Sequence, residues 1–328
     1  MGRHRRFRRH GNGRPDRRRA GGAATAFVPM SALLLLFVCL LLGVAVARFG
    51  RPPAGIVPGI NWWVIDIALP ALILQLLPQV RFEAQLWFPA VSMWLVVGGA
   101  WVLMALAGRW RGWSRHRIGA LVLVGGVGNT AFMGYPMVQA LRGADGLPLA
   151  VVADQLGSFA ALSTLGIVVA SIYAGRKAQA AEVLRRVFTF PPLLALAAGI
   201  VVGLAGGWPA SVDGVLHAIG TTMTPLALFS VGMQLRLKPE RHQWSAAALG
   251  LGWKLLLAPL LCLLLGRLAG VQGEVLAVGV LQAAMAPMIT AAILADQYGL
   301  EPPLANTVLG VGIVLSLATV PLWNHALG

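Results

Sequence analysis

The chain has 328 residues, 58% of them hydrophobic and only 11% charged, with a mean hydropathy of +0.76. A soluble globular domain is about a quarter charged, so an ordinary soluble fold is excluded and a polytopic helical membrane protein is indicated. The formal charge of +15 does not mark a nucleic-acid partner: nine of the 26 Lys and Arg residues fall in the first nineteen positions, and nearly all the others lie between apolar runs, as charge flanking membrane spans does.

The chain opens with a basic tail, "MGRHRRFRRHGNGRPDRRRAGG", too polar and too like-charged to fold. Residues 1–29 are read as an upstream extension that need not belong to the native protein, with translation starting at Met30, where "MSALLLLFVCLLLG" opens the first apolar run. The other reading is a signal-peptide n-region, since "AVA" at 45–47 resembles a cleavage site.

About twenty apolar residues span a bilayer. On that criterion ten helices are predicted, at 27–48, 59–79, 86–107, 117–141, 148–174, 189–207, 214–235, 244–266, 273–297 and 303–324. The loop at 176–188 divides them into a first unit, 30–175, and a second, 189–328. With the mature N-terminus outside, inward loops hold thirteen basic residues: Arg48, Arg51, Arg109, Arg111, Arg115, Arg117, Arg176, Lys177, Arg185, Arg186, Arg236, Lys238 and Arg241. Outward loops hold only Arg81, Arg142 and Arg267. That asymmetry predicts an N-out topology. Cys39 and Cys262 lie in apolar runs and are expected to be free, buried thiols.

The two units share features. "PMVQALRGAD" from Pro136 and "PMITAAILAD" from Pro287 keep Pro-Met and Ala-Asp at a constant offset of 151. "DIALPALIL" around Pro70 has a counterpart in "TTMTPLALF" around Pro225. A five-helix unit used twice must be inverted the second time, a design typical of secondary transporters, with interrupted helices at the binding site. "GGVGNTAFMGYPMV" at 125–138 and "AMAPM" at 284–288 supply such interruptions. Glycine permits unusual dihedrals and proline lacks an amide proton, so unwinding is expected near 128–136 and 284–288. Proline kinks alone would leave the same sequence mark.

Four segments in order, "GNTAFMGYP", "ADQLGSFAALSTLG", "PLALFSVGMQL" and "APMITAAILADQYGL", resemble the bacterial branch of the auxin efflux carrier family, also called membrane transport proteins. The resemblance runs from about residue 30 to the C-terminus. It implies an all-α polytopic protein of the bacterial inner membrane, with ten transmembrane helices in two inverted five-helix repeats. It also implies that the fourth and ninth helices cross, broken at Pro136 and Pro287, in a fold shared with bile-acid:sodium symporters. Homodimers and small organic anion substrates are further implications; auxins and malate- or malonate-like acids are the family's range.

Candidate substrate-binding residues are Asn129, Thr130, Gly134 and Pro136 at the first break, and Gln282, Pro287 and Met288 at the second. Asn129 and Thr130 could bind a carboxylate or cap the following half-helix; Gln282 could instead bond a neighbouring helix. Ionisable groups within spans are rare and functional by default. Asp154, with Gln155 and Ser158, is the first ion-coupling candidate and Asp66 the second. Residues four apart share a helix face, so Asp154 and Ser158 could present oxygens to one cavity, for a proton or a sodium ion. Lys254 could neutralise the anion or pair with Asp66. No metal spacing, Walker signature or catalytic triad is present in the sequence. An enzyme is therefore not expected, nor any cofactor beyond H+ or Na+. The expected function is secondary transport of a small organic anion by alternating access; a sodium-coupled bile-acid-type symporter is the alternative.

Overall fold

The structure is a computed structural model that describes residues 21–79, 85–176, 188–235 and 243–328, with side chains from residue 34. The start of the basic tail and most of the loop at 176–188 lie outside the described residues. So do Arg81, Lys177, Arg185, Arg186, Arg236, Lys238 and Arg241 of the charge count.

The described chain is helical, and the helices fall on the ten apolar runs. They are α1 (Gly21–Phe49), α2 (Ile56–Gln79), α3 (Trp87–Arg111), α4 (Arg115–Gly126), α5 (Gly134–Arg142), α6 (Ala144–Tyr173), α7 (Pro191–Leu204), α8 (Ala210–Gln234), α9 (Trp244–Leu268), α10 (Gly273–Ala283), α11 (Ile289–Gln297) and α12 (Pro302–Leu327). Six of them, α2, α3, α6, α8, α9 and α12, are long and apolar enough to cross a membrane. Helix α1 begins at Gly21, six residues before the expected 27. The uncharged, alanine-containing stretch "GGAATAFV" at 21–28 continues the first apolar run toward the N-terminus.

Two internal prolines follow wide turns. A π-turn at Val64–Ala68 precedes Pro70, and another at Trp253–Leu257 precedes Pro259. A proline removes one i→i−4 bond and its ring crowds that carbonyl; a π-turn opens the spiral at that point. Asp66 and Lys254 both sit in these turns.

The helices pack as two sets. Helices α1, α2, α7 and α8 form one, with α1 lying along α8 and both α7 and α8 on α2. The α1–α8 crossing is backbone to backbone: a Cβ on Gly43 would meet Phe229 O at 2.2 Å, and one on Gly232 would meet Leu40 O at 2.1 Å. The pair Gly199 and Gly203 serves the packing of α7, against Leu77 and Pro78 of α2. The other set packs α3 on α4, α6 and α10, and α12 on α4 and α11. At one end of this set Arg117, in the first turn of α4, forms a bidentate pair with Glu301 just before α12. Cys39 and Cys262 are free thiols; Cys262 is buried and Cys39 half-buried.

Candidate functional site

The run from α4 to α5 unwinds over residues 127–133, and the run from α10 to α11 over 284–288. The two unwound stretches lie face to face as a short antiparallel bridge between Gly128 and Pro287. Asn129 N–H donates to Ala286 O at 2.8 Å and Met288 N–H donates to Val127 O at 3.0 Å. Each break thus satisfies backbone groups of the other, as buried unwound chain requires.

Two glycines allow this approach. A Cβ on Gly128 would lie 2.7 Å from Lys254 Nζ, and one on Gly134 only 2.3 Å from Gln282 Oε1. Gln282 lies across the first break and donates from Nε2 to Thr130 O at 3.3 Å, while its Oε1 is buried without a partner. The bond of Gln282 goes to the unwound stretch of the first break and not to a neighbouring helix.

The prolines are not equivalent. Pro287 sits in the unwound stretch, its ring against Gly312 of α12. Pro136 does not mark the first break: it lies in the first turn of α5, after the unwound residues. Amides in a first helical turn have no intrahelical acceptor, so proline fits there without interrupting anything. Glycine, asparagine and the bond to Ala286 carry the first interruption instead.

Beside the bridge, Asp154 is buried in a π-turn of α6. Thr130 Oγ1 donates to its Oδ1 at 2.5 Å; Tyr135 OH and Gln155 Nε2 donate to Oδ2 at 3.0 and 2.7 Å. One carboxylate therefore gathers donors from the break, from α5 and from its own helix. Ser158 does not join it: its hydroxyl is buried with no partner, because the wide π-turn displaces residues four apart from their α-helical stacking. Asp66 is half-buried, and among the described residues it makes no ion pair. The pairing of Lys254 with Asp66 is absent. Lys254 is instead fully buried, with Nζ donating to Ala283 O at 3.1 Å. It caps the carbonyl end of α10, where the helix dipole favours a cation.

A cavity of about 480 Å³ opens against the bridge. Its lining includes Asn129, Ala131, Phe132, Asp154, Met288, Ile289 and Thr290 from the crossover and α6. Asn61, Ile65 and Leu69 of α2, Thr189 and Phe190 ahead of α7, and Gln234 of α8 line it from the other set. Phe159 and Phe190 stack across the two sets, ring centroids 3.6 Å apart and 11° from parallel. Among the described residues, the lining holds no lysine, arginine or histidine. Positive character comes from amides. Asn129 Oδ1 accepts from Phe132 N–H at 3.2 Å, a capping bond, which leaves Nδ2 buried and unpartnered. Met288 precedes α11 with no side-chain cap, and Met288, Ile289 and Thr290 all face the cavity. Uncapped first-turn amides suit an anion.

Tyr135, Asn61, Ser230, Gln234 and the Phe159–Phe190 pair were not singled out from the sequence. Tyr135 stood inside the quoted break and could have been found as a phenol needing a buried partner. For Asn61, a lone amide before two tryptophans reads equally well as an interfacial residue.

Two interrupted helices paired beside a largely apolar cavity with a few polar groups, within a bundle of apolar helices, are the arrangement of a membrane transporter. Residues 27–324 match the family described as membrane transport protein, and the chain belongs to that family. It is 27% identical over 310 residues to an uncharacterized transporter of Methanothermobacter thermautotrophicus, covering 94% of this chain and 99% of the relative. A putative malonate transporter of Rhizobium meliloti is 25% identical over 299 residues, 88% of this chain and 92% of the relative. A probable auxin efflux carrier component 5a of Oryza sativa subsp. japonica is 33% identical over 112 residues, 33% of this chain and 31% of the relative.

Proposed function

We propose that this transporter moves a small organic anion across the plasma membrane by alternating access, as a secondary carrier. In this reading the ten apolar runs are ten spans in two inverted five-helix repeats, 30–175 and 189–328, with the N-terminus outside and the bacterial inner membrane as its location. The protein works as a homodimer, and the two helix sets rock against each other about the cavity. The observation that carries the reading is the bridge between the two breaks, set beside a cavity lined by Asn129 and by the uncapped start of α11.

The same cavity supports ion coupling at Asp154. An anion entering it meets a carboxylate and, among the described residues of the lining, no cationic side chain. Like charges in a low-dielectric site repel strongly. A proton or a sodium ion taken up with the substrate relieves that repulsion, so occupancy of one site favours occupancy of the other.

Transport into proteoliposomes tests this, with malonate first in a panel of mono- and dicarboxylates and with proton and sodium gradients imposed separately. The wild type should accumulate an acid under one gradient. Asp154→Asn should abolish gradient-driven accumulation yet retain substrate binding. Sodium-driven uptake of a steroid-like acid would favour the bile-acid-type symporter. Full accumulation by Asp154→Asn would move the coupling role elsewhere.

A further inference from the structure

The substrate contacts proposed so far lie on one wall of the cavity, that of the crossover and α6. The opposite wall has a polar group of its own. The Ser230 hydroxyl donates to Asn61 Oδ1 at 2.5 Å. Gln234 Nε2 in turn donates to Ser230 Oγ at 3.0 Å and to Ser230 O at 3.2 Å. Ser230 is fully buried, while Asn61 and Gln234 line the cavity.

An asparagine side chain has one acceptor oxygen and one NH2 donor. Its orientation is assigned by the network that surrounds it. Here the hydroxyl claims the oxygen, so the donor end of Asn61 is left over, with no acceptor among the described residues. Asn129 shows the same arrangement on the facing wall: its oxygen is held by Phe132 N–H and its NH2 is unpartnered. The rest of the α2 contribution, Ile65 and Leu69, is apolar. Asn61 is half-buried and its Nδ2 is not shut off from the cavity, so that donor is available to a ligand there.

We infer that Asn61 is a substrate-binding residue whose Nδ2 donates to an acceptor oxygen at the end of the acid remote from the crossover, with Ser230 and Gln234 as its positioning residues. This rests on the anion-transport reading above and deepens it. The substrate carries a carboxylate for the crossover and a second acceptor group for Asn61, as a dicarboxylate or an oxo acid does. Such a molecule bridges the two helix sets, so its binding senses their separation.

The test is calorimetric binding of malonate and of propionate, an acid of equal chain length lacking the second carboxylate, to purified full-length protein, with thermal unfolding measured alongside. Wild type should bind malonate more tightly than propionate. Asn61→Ala should weaken malonate by about tenfold or more and change propionate little. Asn61→Asp is the sharper variant: it keeps the acceptor for Ser230, and hence the unfolding midpoint, but replaces the donor with an anionic oxygen, so malonate binding should fall further still. Ser230→Ala, which frees the amide to turn, should cost less than Asn61→Ala. Undiminished malonate binding by Asn61→Asp overturns the inference. So does an equal loss for both acids in Asn61→Ala with a lowered midpoint, the mark of a structural role. A wild type that binds propionate as tightly as malonate removes Asn61 from the site while leaving the anion reading intact; a wild type that binds no acid in the panel removes both.

Discussion

Three donors on one buried carboxylate make Asp154 the most constrained side chain at the crossover. Hydrogen bonds to a charged group contribute about 1.5–3 kcal/mol each. Thr130→Val keeps the shape and removes one donor, so it should lower unfolding stability by about that amount, measured on purified protein. In an Asp154→Asn background the same change should cost less, and the difference in a double-mutant cycle reports the coupling. Additive losses would show that the two side chains act independently. At this scale the sequence was partly legible. Asp154, Gln155, Asn129 and Thr130 stood out because polar groups in apolar runs need a reason. Their tertiary pairings did not, because Thr130 and Tyr135 approach Asp154 from the first break and from α5, and spacing along one helix does not show such partners. Lys254 illustrates the same limit: its position near the middle of a span was visible, while its acceptor, a backbone carbonyl of α10, had no sequence mark.

At the scale of the element, the breaks were visible as clusters of glycine and proline, but the cause assigned to the first was displaced. Proline is the stronger signal by composition, yet in α5 it occupies a first-turn position that suits it. The interruption before it is made by residues that bond outward, to Ala286 and to the second break. The two prolines should therefore respond differently to substitution. Pro136→Ala leaves the unwound backbone as it is and should keep most transport activity. Pro287→Ala adds an amide proton inside the bridge and removes the ring that packs on Gly312, so transport should fall well below that of Pro136→Ala while protein remains in the membrane. Initial uptake rates normalised to inserted protein decide this; equal rates would mean that neither ring matters to the crossover.

Across the whole molecule, the helical character of the apolar runs was readable from hydropathy, and six of the described helices are long and apolar enough to cross a membrane. The separation into two helix sets was not, since it depends on which faces meet. The close α1–α8 crossing at Gly43 and Gly232 and the Arg117–Glu301 pair each hold one set together. The cavity, with the Phe159–Phe190 stack, lies where the sets meet. Motion between them would leave both internal ties intact and would part the aromatic pair.

The reciprocal bonding of the two breaks carries a consequence for biosynthesis. Val127 O and Asn129 N–H are made early, and their acceptor and donor, Ala286 O and Met288 N–H, belong to the last quarter of the chain. Until those residues arrive, the early break must keep its polar backbone solvated or borrow a temporary partner, since an unsatisfied group in hydrocarbon costs several kcal/mol. Maturation is thus gated by completion of the polypeptide, and a prematurely ended product carries a built-in defect for membrane quality control to detect. A chain stopped after Leu268 should turn over faster than the full-length protein in a pulse-chase experiment, and supplying residues 269–328 as a separate polypeptide should lengthen its half-life. Equal half-lives with and without that fragment would show that the early break finds its partners locally.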